Sequence, residues 1–304
     1  MEIITILSTQ ILMMFIMMLV GFLSYRAKIV CEIAASYFSD LLLKVVTPCI
    51  IIKAFNVEFS IVKLNNIMIM FLLSVISIGI GILVSKILSV DLKVEKFGII
   101  FSNIGFMGIP LVTSLLGQEY LLYLSVYIMV FTILLWTYGV YIFSEDITQL
   151  KIKNLLLNPA IISVIVGLII FLLNIDFPFI IDDVLSSFTD INTPLSMFVL
   201  GIYLAKESIF KLLKSFKPFY YSFLRLVLVP FIVILVLNFV PNEYLMLKII
   251  ALIASSTPCA AAVPIFAQKF NKDFALGARI VSISTLLSLI TIPLIVQSAV
   301  YIWL

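Results

Sequence analysis

The sequence predicts an all-α integral membrane protein of ten transmembrane helices, arranged as two inverted five-helix repeats, on three observations. Of 304 residues, 63% are hydrophobic and 12% charged, and the mean hydropathy is +1.28; ordinary soluble domains run near about 45–50% apolar and about 25% charged. Charged and turn-forming residues gather into nine short clusters that leave ten apolar stretches between them. Features of the first half recur in the second at a nearly constant offset. A soluble globule cannot cover its surface with half the usual charge, so soluble enzyme, nucleic-acid binder and disordered chain are disfavoured together. The net charge of +3 points to no nucleic acid, and the absence of histidine removes the commonest general base and metal ligand. Cys31, Cys49 and Cys259 are too scattered for a metal site or a disulfide framework. No catalytic residue, metal or cofactor is expected.

The turn clusters fall at 25–34, 56–66, 86–96, 118–120, 144–158, 174–183, 206–218, 240–244 and 268–273. A span needs roughly 20 apolar residues, which places ten of them. Span 1 (4–24) follows an acidic Met1-Glu2 and no cleavage site, so it is expected to be a mature span and not a signal peptide. Span 2 (35–55) carries Asp40 and Lys44 one helical turn apart, a pair expected near the inner interface, and then a break at Pro48. Spans 3 and 5 are placed at 67–89 and 121–143. Span 4 (97–117) is interrupted by Ser102, Asn103, Gly105, Gly108 and Pro110. Span 6 (159–175) is short, and span 7 (183–205) is expected to break at Asn192 and Pro194. Span 8 (218–240) contains Arg225, to which no role is assigned. Span 9 (245–267) is interrupted by Ser256, Thr257, Pro258 and Pro264, and span 10 (274–297) carries Arg279, either facing the inner mouth of a path or snorkelling to lipid. Tyr127 and Gln268 are weaker polar candidates.

Thirteen of the 19 basic residues lie in odd-numbered loops and three in or beside even-numbered ones. The positive-inside rule then sets the odd loops in the cytoplasm and both termini outside, in the plasma membrane.

Five spans per half is an odd number, so two equal halves must insert with opposite orientation. Val20-Gly21 matches Val166-Gly167 and Thr47-Pro48 matches Thr193-Pro194 at an offset of 146; Ser102-Asn103 matches Ser256-Thr257 and Pro110 matches Pro264 at 154. The expected units are 1–143, a connecting loop 144–158, and 159–304. Inverted repeats with broken helices are a carrier signature. Backbone groups freed in hydrocarbon cost several kcal/mol each unless satisfied, so such breaks persist only when buried in protein or lining a cavity. Two half-helix N-termini meeting at the midplane, each worth about +0.5 charge, would suit a carboxylate, with the Asn103 amide and Thr257 hydroxyl as neutral donors. Neither window holds an acid or a base.

At these residues a family becomes recognisable. Asn103-Ile-Gly-Phe-Met-Gly-Ile-Pro110-Leu111 resembles the fourth-helix motif of the auxin efflux carrier family, and 192–204 resembles its seventh-helix motif. Val46-Thr-Pro48 is similar to the second-helix proline segment, and Ser256-Thr-Pro258 through Asp273, with Ser284-Thr285 and Thr291-Ile-Pro293, to the ninth and tenth helices. The resemblance implies a ten-helix carrier of small organic anions, such as auxin-like acids, malate or malonate. Helices 1, 2, 6 and 7 would form a scaffold that can dimerise, and helices 3–5 and 8–10 a transport bundle that slides as an elevator. It implies a substrate contact at Asn103 and crossover residues at Pro110 and at Pro258 or Pro264. The substrate-contacting set expected on all grounds is Ser102, Asn103, Gly105, Gly108, Ser256 and Thr257. Alternatives are a sodium- or proton-coupled symporter of another solute, or a non-transporting membrane sensor on the same fold.

Overall fold

The computed structural model describes residues 2–88, 90, 92–146, 152–206 and 216–303. Residues 147–151 of the connecting loop, and the basic loop residues Lys151, Lys211 and Lys214, lie outside them.

Every apolar stretch folds as helix. In chain order these are α1 (Glu2–Arg26), α2 (32–54), α3 (Ile61–Ile87), α4a (Lys93–Ile100) and α4b (Ile104–Leu116), α5 (Gln118–Ser144), α6 (Pro159–Leu172), α7 (Phe179–Lys206), α8 (Phe216–Leu237), α9a (Leu245–Ser256) and α9b (Ala262–Lys269), and α10 (Phe274–Trp303). A short helix, Ile152–Leu156, precedes α6. Among the described residues the one β contact is an isolated antiparallel bridge between Ser102 and Cys259. Among the described residues six helices, α1, α2, α3, α5, α8 and α10, are long and apolar enough to cross a membrane. The other four stretches depart from a plain span. α6 has only 14 residues. α7 has 28 but carries Asp190, Asn192, Thr193 and Pro194 at its centre, and the fourth and ninth stretches are each split in two.

Local chemistry explains the ends. The Ser60 hydroxyl accepts the Lys63 N–H at 3.2 Å and starts α3 six residues earlier than the polar run 56–66 suggests; Lys63, Asn65 and Asn66 lie in its first turns, not in a loop. Asn158 Oδ1 caps α6 through the Ala160 N–H at 3.0 Å, with Pro159 in the first turn. Asp273 Oδ1 takes the Leu276 N–H at 2.8 Å at the start of α10. Gly117 ends α4b at φ +109°, a conformation that favours glycine.

Proline sets three wide, π-type turns. They span Leu42–Val46, Ile104–Gly108 and Leu224–Leu228, each ending two residues before a proline: Pro48, Pro110 and Pro230. A proline ring lacks an N–H and clashes with the carbonyl four residues back, and a turn widened by one residue relieves the clash without unwinding the helix. This corrects the expected breaks in spans 2 and 7. α2 runs past Pro48 through a wide turn, and α7 stays α-helical through Asn192 and Pro194, because one missing donor costs a single bond of the ladder. α5 has a fourth wide turn, Leu135–Gly139, without a proline; a Cβ on Gly139 would stand 2.9 Å from the Phe97 ring.

Two groups of helices pack closely within themselves, and contacts of α1 with α4b and α10 and of α5 with α2 and α6 join the groups. α1 lies against α7 with backbones touching: a Cβ on Gly21 would collide with the Phe198 carbonyl, and one on Gly201 with the Met18 carbonyl. Small residues at such crossings are the usual means of helix association in lipid. α6 lies against α2, where a Cβ on Gly167 would meet the Phe55 ring. Lys53 of α2 pairs with Asp182 of α7 at 3.6 Å and also contacts Ser186. In the second group, α3 packs on α5 and α9a, and α10 on α8, α9a and α9b. Large side chains such as Leu12, Ile16 and Leu23 of α1, Leu72 of α3 and Ile290 of α10 are exposed on outward faces, as a lipid-facing surface requires.

Candidate functional site: the crossing of two broken helices

α4a stops at Ile100 and α9a at Ser256. Phe101 and Thr257 then turn to extended backbone, and the two unwound segments cross. The Asn103 N–H donates to the Pro258 carbonyl at 2.8 Å, and the Ala260 N–H to the Phe101 carbonyl at 2.9 Å. Each break thereby satisfies backbone groups of the other, which meets the requirement that buried backbone polar groups be paired. The Cys259 N–H donates to Ser284 Oγ of α10 at 3.1 Å, which ties the crossing to that helix.

The carboxyl ends of the first half-helices go to one side chain. Arg225 of α8 donates from Nε to the Thr257 carbonyl at 3.2 Å, and from Nη1 to the Ile99 and Ile100 carbonyls at 3.1 and 3.4 Å. It is 2% exposed, lies in the wide turn set by Pro230, and forms no ion pair among the described residues. Its polar neighbours are Tyr127 of α5 and Cys259.

Asn103 immediately precedes α4b. Its carbonyl accepts the Met107 N–H at 3.0 Å, and its side chain caps nothing. It is 5% exposed, and its amide nitrogen is buried without a partner. Unpartnered buried donors are rare in native structures and call for an explanation. On α7, Asn192 is 1% exposed with both amide atoms unpartnered, as is Ser196 Oγ one turn on; α7 touches the wide turn Ile104–Gly108.

The expected contact residues gather here with different availability. Ser102 lies opposite Cys259 through its backbone and is buried. The Ser256 and Thr257 hydroxyls donate to Leu252 and Ala254 of their own helix, so their protons are already used. Beside Gly105 the space is open, with only a Leu43 methyl of α2 at 3.9 Å from where a Cβ would stand, whereas the corresponding space at Gly108 is filled by Ile104. Of the two prolines left open in span 9, Pro258 lies at the crossing. Pro264 is the third residue of α9b, packed on Gly277. Pro110 also lies outside the crossing, two residues past the wide turn Ile104–Gly108. Asp40 and Lys44 pair at 2.8 Å on an exposed face, and Arg279, half-buried, bonds back to the Ala275 carbonyl of its own helix.

Two clefts open at the loop ends, away from these residues. One, of about 330 Å³, is lined by Lys63, Asn66, Glu119, Tyr123 and Glu243 among others. The other, of about 150 Å³, includes Lys53, Gln118, Asp182 and Thr189. Sequence reasoning missed what Arg225 does. The available signal was a charge deep in an apolar span followed by a proline, since ionisable groups inside a span are functional candidates by default.

The model of the membrane transport protein family matches residues 6–296, nearly the whole chain. No curated protein matches it. By that match the chain belongs to the auxin efflux carrier family of membrane transport proteins.

Proposed function

We propose that the protein is a secondary carrier of a small organic anion, a carboxylate such as malate, malonate or an auxin-like acid, and that the anion binds beside the crossing. The observation that carries this reading is the buried, unpartnered amide nitrogen of Asn103 at the amino end of α4b. That amino end brings about half a positive charge and N–H donors without intrahelical acceptors, and the open space beside Gly105 lies next to it. A carboxylate is the ligand that uses an amide N–H and a helix amino end together.

On this reading the ten helical stretches span the plasma membrane as two inverted repeats, with both termini outside. Packing supports it: a two-fold relation between the halves exchanges the α1–α7 contact with the α6–α2 contact, and the α3–α9a contact with the contact between α8 and α4a, and all four exist. The tightly packed α1, α2, α6 and α7 serve as scaffold. The helices that carry the crossing, α3–α5 and α8–α10, move against them as an elevator and expose the site to either side in turn.

A hydrogen bond to a charged group contributes about 1.5–3 kcal/mol, or about 10- to 150-fold in affinity. Asn103→Ala is therefore expected to lose that much anion affinity and, with it, flux in liposomes, while remaining folded and inserted. Wild-type uptake by a folded Asn103→Ala variant would remove the crossing from consideration as the site.

A further inference from the structure

We propose that Arg225 is a built-in substitute for a coupling cation, a tethered charge that neutralises the two half-helix carboxyl ends and lets the crossing operate without sodium. The inference rests on the carrier reading above and specifies what that carrier does not need. Half-helix carboxyl ends and unwound carbonyls are where broken-helix carriers hold Na⁺ or H⁺. Each such end carries roughly −0.5 of an elementary charge, so α4a and α9a together present about −1, and one guanidinium restores neutrality. The geometry matches that charge balance: one side chain takes the Ile99 and Ile100 carbonyls from the first helix and the Thr257 carbonyl from the second. No carboxylate shares it among the described residues, and a buried charge without a counter-ion is costly unless something of opposite sign faces it. Here the two helix ends are that counter-charge.

Arginine does not lose its proton in proteins, so the neutralisation persists at every pH and in any ion gradient. The amino ends of α4b and α9b, which follow the two breaks in the chain, carry the opposite sign and are left for an anion. The crossing thus separates into a cation-binding half that the chain fills itself and an anion-binding half left to substrate.

The test uses purified wild type, Arg225→Ala and Arg225→Lys. Melting temperatures are compared in choline, sodium and guanidinium chlorides at matched ionic strength, with guanidinium at about 20 mM, where a bound ion registers by mass action. Wild type is expected to melt at the same temperature in all three. Arg225→Ala should melt roughly 5–10 °C lower in choline, and sodium or guanidinium should restore part of that loss by filling the vacated place. Arg225→Lys keeps the charge, falls between the two, and stays indifferent to the cation. Stabilisation of wild type by sodium over choline would overturn the proposal, as would an Arg225→Ala variant that responds to neither cation. If Arg225→Ala cannot be recovered folded, a sodium response in wild type or Arg225→Lys overturns the proposal, and indifference in both supports it. Malonate uptake by wild-type liposomes separates the two readings. Uptake that requires sodium sinks the tethered-charge proposal and leaves the carrier intact, whereas uptake equal in sodium and choline supports both. An absence of carboxylate uptake would count against the carrier reading, while a cation response of Arg225→Ala would stand without it.

Discussion

Ser102→Cys should form a disulfide with the native Cys259. The backbone bonds from Asn103 to Pro258 and from Ala260 to Phe101 flank Ser102 and Cys259 on both sides, which makes them a non-hydrogen-bonded antiparallel pair. Cα atoms in such pairs stand about 4.5 Å apart with side chains close, inside the window of about 4.4–6.8 Å that disulfides accept. The cross-link closes a loop of more than 150 residues, worth up to about 5 kcal/mol on the chain-entropy account. The assay is a maleimide-polymer gel shift after mild oxidation and denaturation, in a background with Cys31→Ser and Cys49→Ser. Protection of both thiols and a higher melting temperature are expected, and both effects should vanish when Cys259→Ala is added. Two freely labelled cysteines after oxidation would mean that the breaks do not cross at these residues, and the account of the site would fall with them.

Two further outcomes follow from packing. Gly201→Ala places a methyl against the Met18 carbonyl and should destabilise by about 1–3 kcal/mol through overpacking. Gly79→Ala, whose methyl would meet nothing within 4 Å, should be neutral or stabilise by up to about 1 kcal/mol through helix propensity; thermal melts of the two variants decide it, and equal effects would contradict the close α1–α7 approach. Pro230→Ala removes a helix breaker, which by propensity alone should stabilise by about 3 kcal/mol. Because the wide turn before Pro230 aims Arg225 at three carbonyls, the variant is expected to melt no higher than wild type, and a clear gain in melting temperature would show that Arg225 does not depend on that turn.

Much of the helix order was legible in the sequence because apolar runs and charged turns sort so cleanly in a chain with this little charge. The residues of the crossing were legible too: Ser102, Asn103 and Ser256 through Pro258 stand where small, polar and proline residues interrupt long apolar runs. The response to each proline was harder to read. Pro48, Pro110 and Pro230 widen a turn, Pro194 and Pro293 are absorbed into α-helix, and Pro258 alone of these lies in unwound backbone at the crossing. What decides among these outcomes is the packing around each residue, which no local sequence window contains. The partners of Arg225 were invisible for a related reason. They are backbone carbonyls of Ile99, Ile100 and Thr257, and a carbonyl leaves no mark in residue identity. The start of α3 was read too late because Lys63, Asn65 and Asn66 look like loop, although polar residues are at home in the first turns of a helix capped by Ser60.

If a carboxylate is carried at the crossing through Asn103, uptake of labelled malate, malonate and an auxin-like acid into liposomes must depend on that side chain, and wild type is compared with Asn103→Ala. Saturable uptake of at least one acid by wild type, reduced about 10- to 150-fold in affinity in a variant that still folds and inserts, is the predicted result. Saturable uptake that the substitution leaves unchanged would contradict the account.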